Sequence, residues 1–257
     1  MTGALAQTGS MFALFLDTTR AFFHSLIHLK FQFREFIGQS WFIASVCMVP
    51  VMLVSIPFGM VIALQVGNLS RQLGAQSLTG AAMVLAVVRE AAPVATALLI
   101  AGAGGSAICA DLGSRRIRDE IDAMEVLAVS PIERLIVPRV AAAVFVAILL
   151  NGLVSVAGIA GGYYFNVIVQ GGTPGAYIAS FGILAQLPDL VVSEMKAAIF
   201  GLIAALVASY KGLNAKGGPK GVGDAVNQSV VITFMLLFVV NFVVTALYFQ
   251  LIPQKFS

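Results

Sequence analysis

Five stretches of this sequence, at roughly 41–66, 82–110, 136–164, 190–210 and 228–251, run for about twenty residues or more with few charges. An apolar run of that length matches the ~30 Å hydrocarbon layer of a bilayer crossed by a helix, and few other environments accept it. Composition agrees: 59% of the 257 residues are hydrophobic and 11% are charged, where a soluble domain carries about a quarter charged. Too few polar side chains remain to clothe a globule in water. Lipid is therefore part of the solvent, and the backbone must satisfy its own hydrogen bonds in helices. The expected fold class is an all-α integral membrane protein. It has an N-terminal interfacial helix, five transmembrane helices and a short cytoplasmic helix between the second and third.

The placement of Lys and Arg orients the spans, because cytoplasmic loops collect them. Arg115, Arg116, Arg118 and Arg134 lie between the second and third spans, and Lys211, Lys216 and Lys220 between the fourth and fifth. The loops on the opposite side, roughly 67–80 and 165–188, hold only Arg71. This count puts the N-terminus in the cytoplasm and the C-terminus outside. An odd number of spans leaves no room for an inverted repeat. Trp41 opens the first span as an interface anchor.

Residues 11–38 mix Phe12, Phe15, Phe22, Phe23, Leu26, Leu29, Phe33 and Phe36 with Arg20, His24, His28, Lys30, Arg34 and Glu35. Such a mixture suits a helix lying in the interface plane. His24 and His28 share a helix face, but no third ligand is placed near them, so no metal site is expected. Cys47 and Cys109 sit in separate apolar runs and read as packing residues. The start of the chain lacks the pattern of a cleaved signal peptide. The basic residues are scattered or mixed with acids, which argues against nucleic acid as a partner.

Two glycine-rich stretches imitate nucleotide motifs. GAGGSA (102–107) fits G-x-G-x-x-A, yet it lies within an apolar helical run where no strand-to-helix turn can form. Around it Ala101, Gly105, Cys109 and Gly113 recur every four residues, a narrow face for close helix packing. In the loop KGLNAKGGPKGVGDAVNQSV (211–230), Gly221 follows Lys220 where a P-loop needs Ser or Thr. That loop reads as a tight turn, with Asp224 capping the fifth helix.

Charge is otherwise concentrated. Eleven of the 27 charged residues fall in DLGSRRIRDEIDAMEVLAVSPIERLIVPR (111–139). On a helix beginning near Ser114, Ile117, Ile121, Met124 and Ala128 form one apolar stripe. Arg115–Asp119, Arg116–Glu120 and Arg118–Asp122 would be successive i,i+4 pairs, each worth a few tenths of a kcal/mol. Pro131 stops this helix. A solvated connector gains nothing from such a stripe, whereas an amphipathic helix fixed between two spans is shaped to dock in a groove of another protein. Arg89 and Glu90 interrupt the second span, and Glu194 and Lys196 the fourth. Charges at that depth cost at least a few kcal/mol unless they are paired or face a cavity. The depth of Arg89 and Glu90 favours a cavity. For Glu194 and Lys196 a functional role weighs evenly against the plainer alternative, in which these four residues pair with one another or reach the interface. Pro93 frees backbone groups nearby and is placed to kink the helix.

REAAPVATALLIAGAGGSAICADLG (89–113) followed by IRDEIDAMEVLAVSPIERLIVPR (117–139) resembles the signature of the MlaE/YrbE permeases, the membrane subunits of MCE-type ABC lipid transporters. SEMKAAIFG (193–201), GGPKGVGDAVNQSVV (217–231) and VVTALYF (243–249) extend the likeness, which covers nearly everything from about residue 40. The resemblance implies an interfacial segment over 1–38 and a permease domain over 39–257. It makes Ile117, Ile121, Asp122, Met124, Glu125 and Leu127 contacts to a separate cytoplasmic ATPase dimer, which would carry the ATP and Mg, this chain having no cofactor of its own. Arg89 and Glu90 would border a lipid cavity, with Leu64 and Gln65 lining it. Ala103 stands where many members carry Arg. With the wording of the 212–230 loop, that variant resembles the "A" member of the paired YrbE proteins of actinobacterial Mce operons. A "B" paralogue would then complete a heterodimer in the plasma membrane, with Mce tunnel proteins on the outer side. The function implied is lipid import, the cargo ranging over fatty acids, sterols and related molecules. An intramembrane lipid-modifying enzyme and a passive anchor for Mce proteins are the alternatives.

Overall fold

The computed structural model describes residues 2–27 and 31–251, and among them every regular element is helical. Helix α1 is Thr2–Ile27 and α2 is Phe33–Gln72. Helix α3 occupies Thr79–Ile117, α4 Glu120–Val126, α5 Ile132–Val169 and α6 Pro174–Leu184, while α7 is Leu187–Leu213 and α8 Gly218–Leu251. Five of these, α2, α3, α5, α7 and α8, are long and apolar enough to cross a bilayer. The chain is a multi-pass membrane protein.

The first span begins earlier than Trp41. Its opening turns, from Phe33, carry a Gln39 Nε2 bond to Glu35 Oε1 of 3.0 Å. Polar i,i+4 support of this kind lets a helix continue past the apolar boundary that hydropathy detects. The anticipated division at residue 38 therefore falls inside α2. His28 and Lys30 lie outside the described residues. Pro50 and Pro57 sit within α2 without ending it.

Wide π turns interrupt α3 at Val87–Ala91 and Ile100–Gly105, and α5 at Ile132–Ile136 and Tyr164–Val169. Two of them precede a proline by one residue. Ala92 N–H bonds Val87 O before Pro93, and Val137 N–H bonds Ile132 O before Pro138. A proline removes one i→i−4 bond, and widening the preceding turn spreads that loss without breaking the helix.

Two compact units share the spans. The first contains residues 1–47, 100–146 and 199–240, and the second 48–99, 147–198 and 241–257. In the first unit Ala101, Gly105, Cys109 and Gly113 are buried. A Cβ on Gly212 of α7 would stand 2.8 Å from the Cys109 carbonyl oxygen, and one on Gly113 2.9 Å from Val222. The small-residue face of α3 thus meets α7 at backbone distance and takes the Val222 side chain of α8 against Gly113. In the second unit α2 and α5 cross where Gly59 lies against the Gly158 backbone, which a methyl group at Gly59 would disrupt. Beside that crossing, Ala63, Met83, Val87 and Tyr177 form a buried cluster.

One expectation for a helix terminus is corrected. Asp224 lies in the second turn of α8 and does not cap it. Gly217 and Gly218, at φ +85° and +71°, make the turn, and Pro219 opens the helix with its preset φ. GAGGSA is helical, the Ile100–Gly105 π turn running into Ser106–Ile117.

Candidate functional site

Two groups of charged residues carry the chemistry, one in each unit. In the second unit, α3 presents Arg89 and Glu90 on the Val87–Ala91 π turn. Arg89 Nε and an Nη donate to Asp189 Oδ1 of α7 at 3.0 and 2.5 Å. Tyr248 of α8 donates its hydroxyl to the same carboxylate oxygen. The guanidinium also lies 5.1 Å from the Tyr248 ring centre and 5.4 Å from that of Phe249, within range of cation–π attraction.

Glu90 turns to the fully buried Lys196, whose Nζ lies 3.0 Å from Glu90 Oε1. The same ammonium donates to Thr245 Oγ1 at 2.8 Å and to the backbone carbonyl of Arg89 at 3.2 Å. The last contact follows from Pro93. Having no N–H, Pro93 leaves the Arg89 carbonyl without its i+4 donor, and Lys196 supplies the missing proton donor. Asn241 Nδ2 completes the shell at 3.4 Å from Glu90 Oε2. Two cations and two carboxylates balance, so the network holds four charges with no net charge. A charge removed from water at this depth persists only if it is paired and hydrogen-bonded.

Arg89 and Glu90 are thus both paired within the chain, and Glu90 keeps 40% of its side chain exposed. Lys196 pairs with Glu90 and not with Glu194, and next to Glu194 the Asn151 amide donates to Ser193 Oγ at 2.9 Å. Leu64 and Gln65 lie on the exposed face of α2, apart from this network. Asp189, Asn241, Thr245 and Tyr248 are absent from the sequence reading. Their signal was present: the last three fall at i, i+4 and i+7, one polar stripe on an otherwise apolar span.

In the first unit the charged loop departs from the expected single helix. Helix α3 ends at Ile117, Asp119 takes a left-handed conformation at φ +57°, and α4 begins at Glu120. Aspartate tolerates that region better than most residues. The break dissolves the three anticipated i,i+4 pairs. Arg115 instead pairs with Asp111 at 3.3 Å, Arg116 with Asp122, and Arg118 Nε with Glu120 at 3.0 Å. Arg139, fully buried at the start of α5, bonds Asp111 and donates to the Leu135 carbonyl at 2.9 Å. The start of α5 is thereby tied to the end of α3, and α4 hangs between them.

The break also folds α4 back onto α3. Ile121 is left 3% exposed, with Ile117 and Met124 half-buried, so the apolar stripe packs within the chain itself. What the loop offers outward is Glu125, Val126 at 86% and Leu127 at 74% exposure, with Asp122 half-buried beside them. Val126, unremarked in the sequence, is the most exposed of the large apolar side chains here.

Among the described residues no group of three His, Cys, Asp or Glu is placed to hold a metal ion. His24 stands 3.8 Å from Glu133. Both cysteines are buried and unbridged.

The family described as Permease MlaE matches residues 36–247. A probable ABC transporter permease of Synechocystis is 32% identical over 238 residues, 93% of this chain and 90% of that protein. Another from Rickettsia bellii is 30% identical over 96% of this chain and 94% of its own length. Trigalactosyldiacylglycerol 1, a chloroplastic protein of Arabidopsis thaliana, is 30% identical over 75% of this chain and 55% of its own length.

Proposed function

The chain belongs to the MlaE permease family, and from that membership we propose that it is the transmembrane subunit of an Mce-type ABC transporter that imports lipids through the plasma membrane. The α4 loop is its mechanical handle. Its N-terminus and the 118–131 loop face the cytoplasm and its C-terminus faces outward, as the distribution of Lys and Arg supports. A separate ATPase dimer, carrying ATP and Mg, grips the outward side chains Glu125, Val126 and Leu127. The observation that carries this reading is that the two spans flanking α4 are joined to each other and that Arg116 of α3 pairs with Asp122 of α4. Arg139 and Asp111 join the flanking spans, so force applied at Leu127 passes into α3 and α5 without being absorbed by slack loop.

The cargo is a lipid. Support comes from the apolar spans and from a relative bearing the name of a galactolipid. The Ala103 variant and the 212–230 wording support a "B" paralogue as partner in a heterodimer, with Mce proteins forming a tunnel outside. Reconstituted with its ATPase and partner chain, the complex is expected to move fluorescent lipid on ATP addition. Glu125→Lys and Leu127→Asp should each abolish that movement while the isolated chain keeps its melting temperature. ATP-driven movement that survives both substitutions refutes the handle.

A further inference from the structure

A recess of about 370 Å³ opens in the second unit where α2 and α5 end and α3 and α6 begin. Its lining includes Gly67, Arg71, Asn166, Gln170 and Thr173. Three features distinguish it from a chance hollow. The first is electrostatic. Arg71 has no carboxylate in salt-bridge range among the described residues, and the loops 67–80 and 165–188 contain no Asp or Glu. One guanidinium therefore faces a polar space with its charge unbalanced.

The second is an unmet hydrogen bond. The side-chain oxygen of Gln170 is buried and has no partner among the described residues. A buried carboxamide left unmatched costs about 1–3 kcal/mol, a penalty that a ligand's hydroxyl or ammonium removes. The third is the way the space is kept open. A Cβ on Gly67 would stand 3.1 Å from Gln170 Oε1, so any larger residue would press on the carboxamide and fill the recess. Across from it, Gly172 N–H bonds the Asn166 carbonyl at 3.0 Å, and Gly171 at φ +71° makes the turn that closes behind it. Asn166 and Gln170, four residues apart on the Tyr164–Val169 π turn and its end, are both held at the rim.

We propose that this recess binds an oxyanion carried beside a hydroxyl or ammonium donor, the chemistry of a polar lipid headgroup. Arg71 takes the phosphate or carboxylate oxygens, the Asn166 carboxamide donates to them, and the Gln170 oxygen accepts the headgroup's donor. A guanidinium is matched to two oxygens at once, which favours phosphate over a neutral sugar. The lipid source rests on the transport reading above, while the oxyanion chemistry stands without it.

The test uses the purified full-length chain in detergent, without ATPase, titrated by calorimetry with dihexanoyl phosphatidylglycerol, inorganic phosphate and dihexanoylglycerol. Phosphatidylglycerol is expected to bind at least tenfold more tightly than dihexanoylglycerol, which lacks the oxyanion. Arg71→Gln, at an exposed position that leaves the fold intact, should weaken it about tenfold or more, as loss of a charge-assisted bond predicts. Gly67→Leu should block it. Inorganic phosphate binding with the same Arg71 dependence upholds the oxyanion site and makes the free ion its source. Equal binding of the two dihexanoyl compounds, no binding of either anion, or binding untouched by Arg71→Gln overturns the proposal. Loss of ATP-driven transport in the assembled complex would bear on the permease reading alone, since none of these titrations needs ATP.

Discussion

Replacing Lys196 with Met tests whether the four-charge network holds the second unit together. The side chain is 1% exposed and makes three contacts of 2.8–3.2 Å, to Thr245, Glu90 and the Arg89 carbonyl. Methionine matches its length, so packing is nearly preserved and the change isolates the ammonium. Hydrogen bonds inside membranes average about 0.6 kcal/mol, so the three bonds alone would contribute roughly 2 kcal/mol. Two further costs fall on what is left behind. The Arg89 carbonyl, already deprived of a donor by Pro93, is orphaned, and Glu90 keeps an unpaired charge. Breaking a buried pair on one side costs about 3–5 kcal/mol, and the 40% exposure of Glu90 puts this case at the lower end, about 3 kcal/mol. Adding Glu90→Gln removes the stranded charge, so the double variant should be less destabilised than the sum of the two singles by about 1–2 kcal/mol. Reversible unfolding in mixed micelles, measured on all four proteins, supplies the cycle. If Lys196→Met melts with the parent, or the two substitutions simply add, the network is not what secures these helices.

Gly212→Ala places a methyl group 2.8 Å from the Cys109 carbonyl and should cost about 1–3 kcal/mol, whereas Gly105→Ala, with 3.8 Å to the nearest other side chain, should be close to neutral; thermal denaturation of both compares them. The Tyr177 hydroxyl is buried with no partner among the described residues, so Tyr177→Phe should match or exceed the parent in stability by up to about 1 kcal/mol at pH 7. Burial pushes that phenol up to about 12, above its usual value of about 10, so the neutral form is favoured in the folded chain. Its contribution is complete below pH ~10 and fades as pH rises towards ~12, and Tyr177→Phe should flatten that part of the stability profile. Asp189→Asn should weaken the Arg89 attachment and raise protease sensitivity at the 185–190 turn, while Tyr248→Phe, which leaves the Arg89–Asp189 pair intact, should do so less; limited proteolysis ranks the two.

The spans were legible because a bilayer filters sequence by length and apolarity, and each expected run lies inside one of the five long helices. The small-residue face of α3 was legible too, since four-residue spacing places Ala101, Gly105, Cys109 and Gly113 together on any helix. What a helix faces was not. Nothing in the spacing of Arg89 indicates that its partner lies at Asp189, because pairing between spans depends on how the helices are arranged, and single-chain periodicity carries no record of that. The break at Asp119 escaped for a related reason: the alternating Arg and acidic residues satisfy a continuous helix as well as two short ones, and only the tertiary demand to bury Ile121 decides between them. Lys196 and Glu194 were seen as a pair of intramembrane charges, yet two residues apart on a helix they point to different neighbours.

A wide turn holds one residue more than an ordinary one, and that surplus can be passed along a helix. If the bulge at Val87–Ala91 migrates by a few positions, the residues it crosses rotate by about 100° while the helix on either side stays where it is. Arg89 and Glu90 sit on that movable piece. Their two attachments could be exchanged for others at the expense of a handful of bonds, which lets a rigid-looking span re-aim its charges without unwinding.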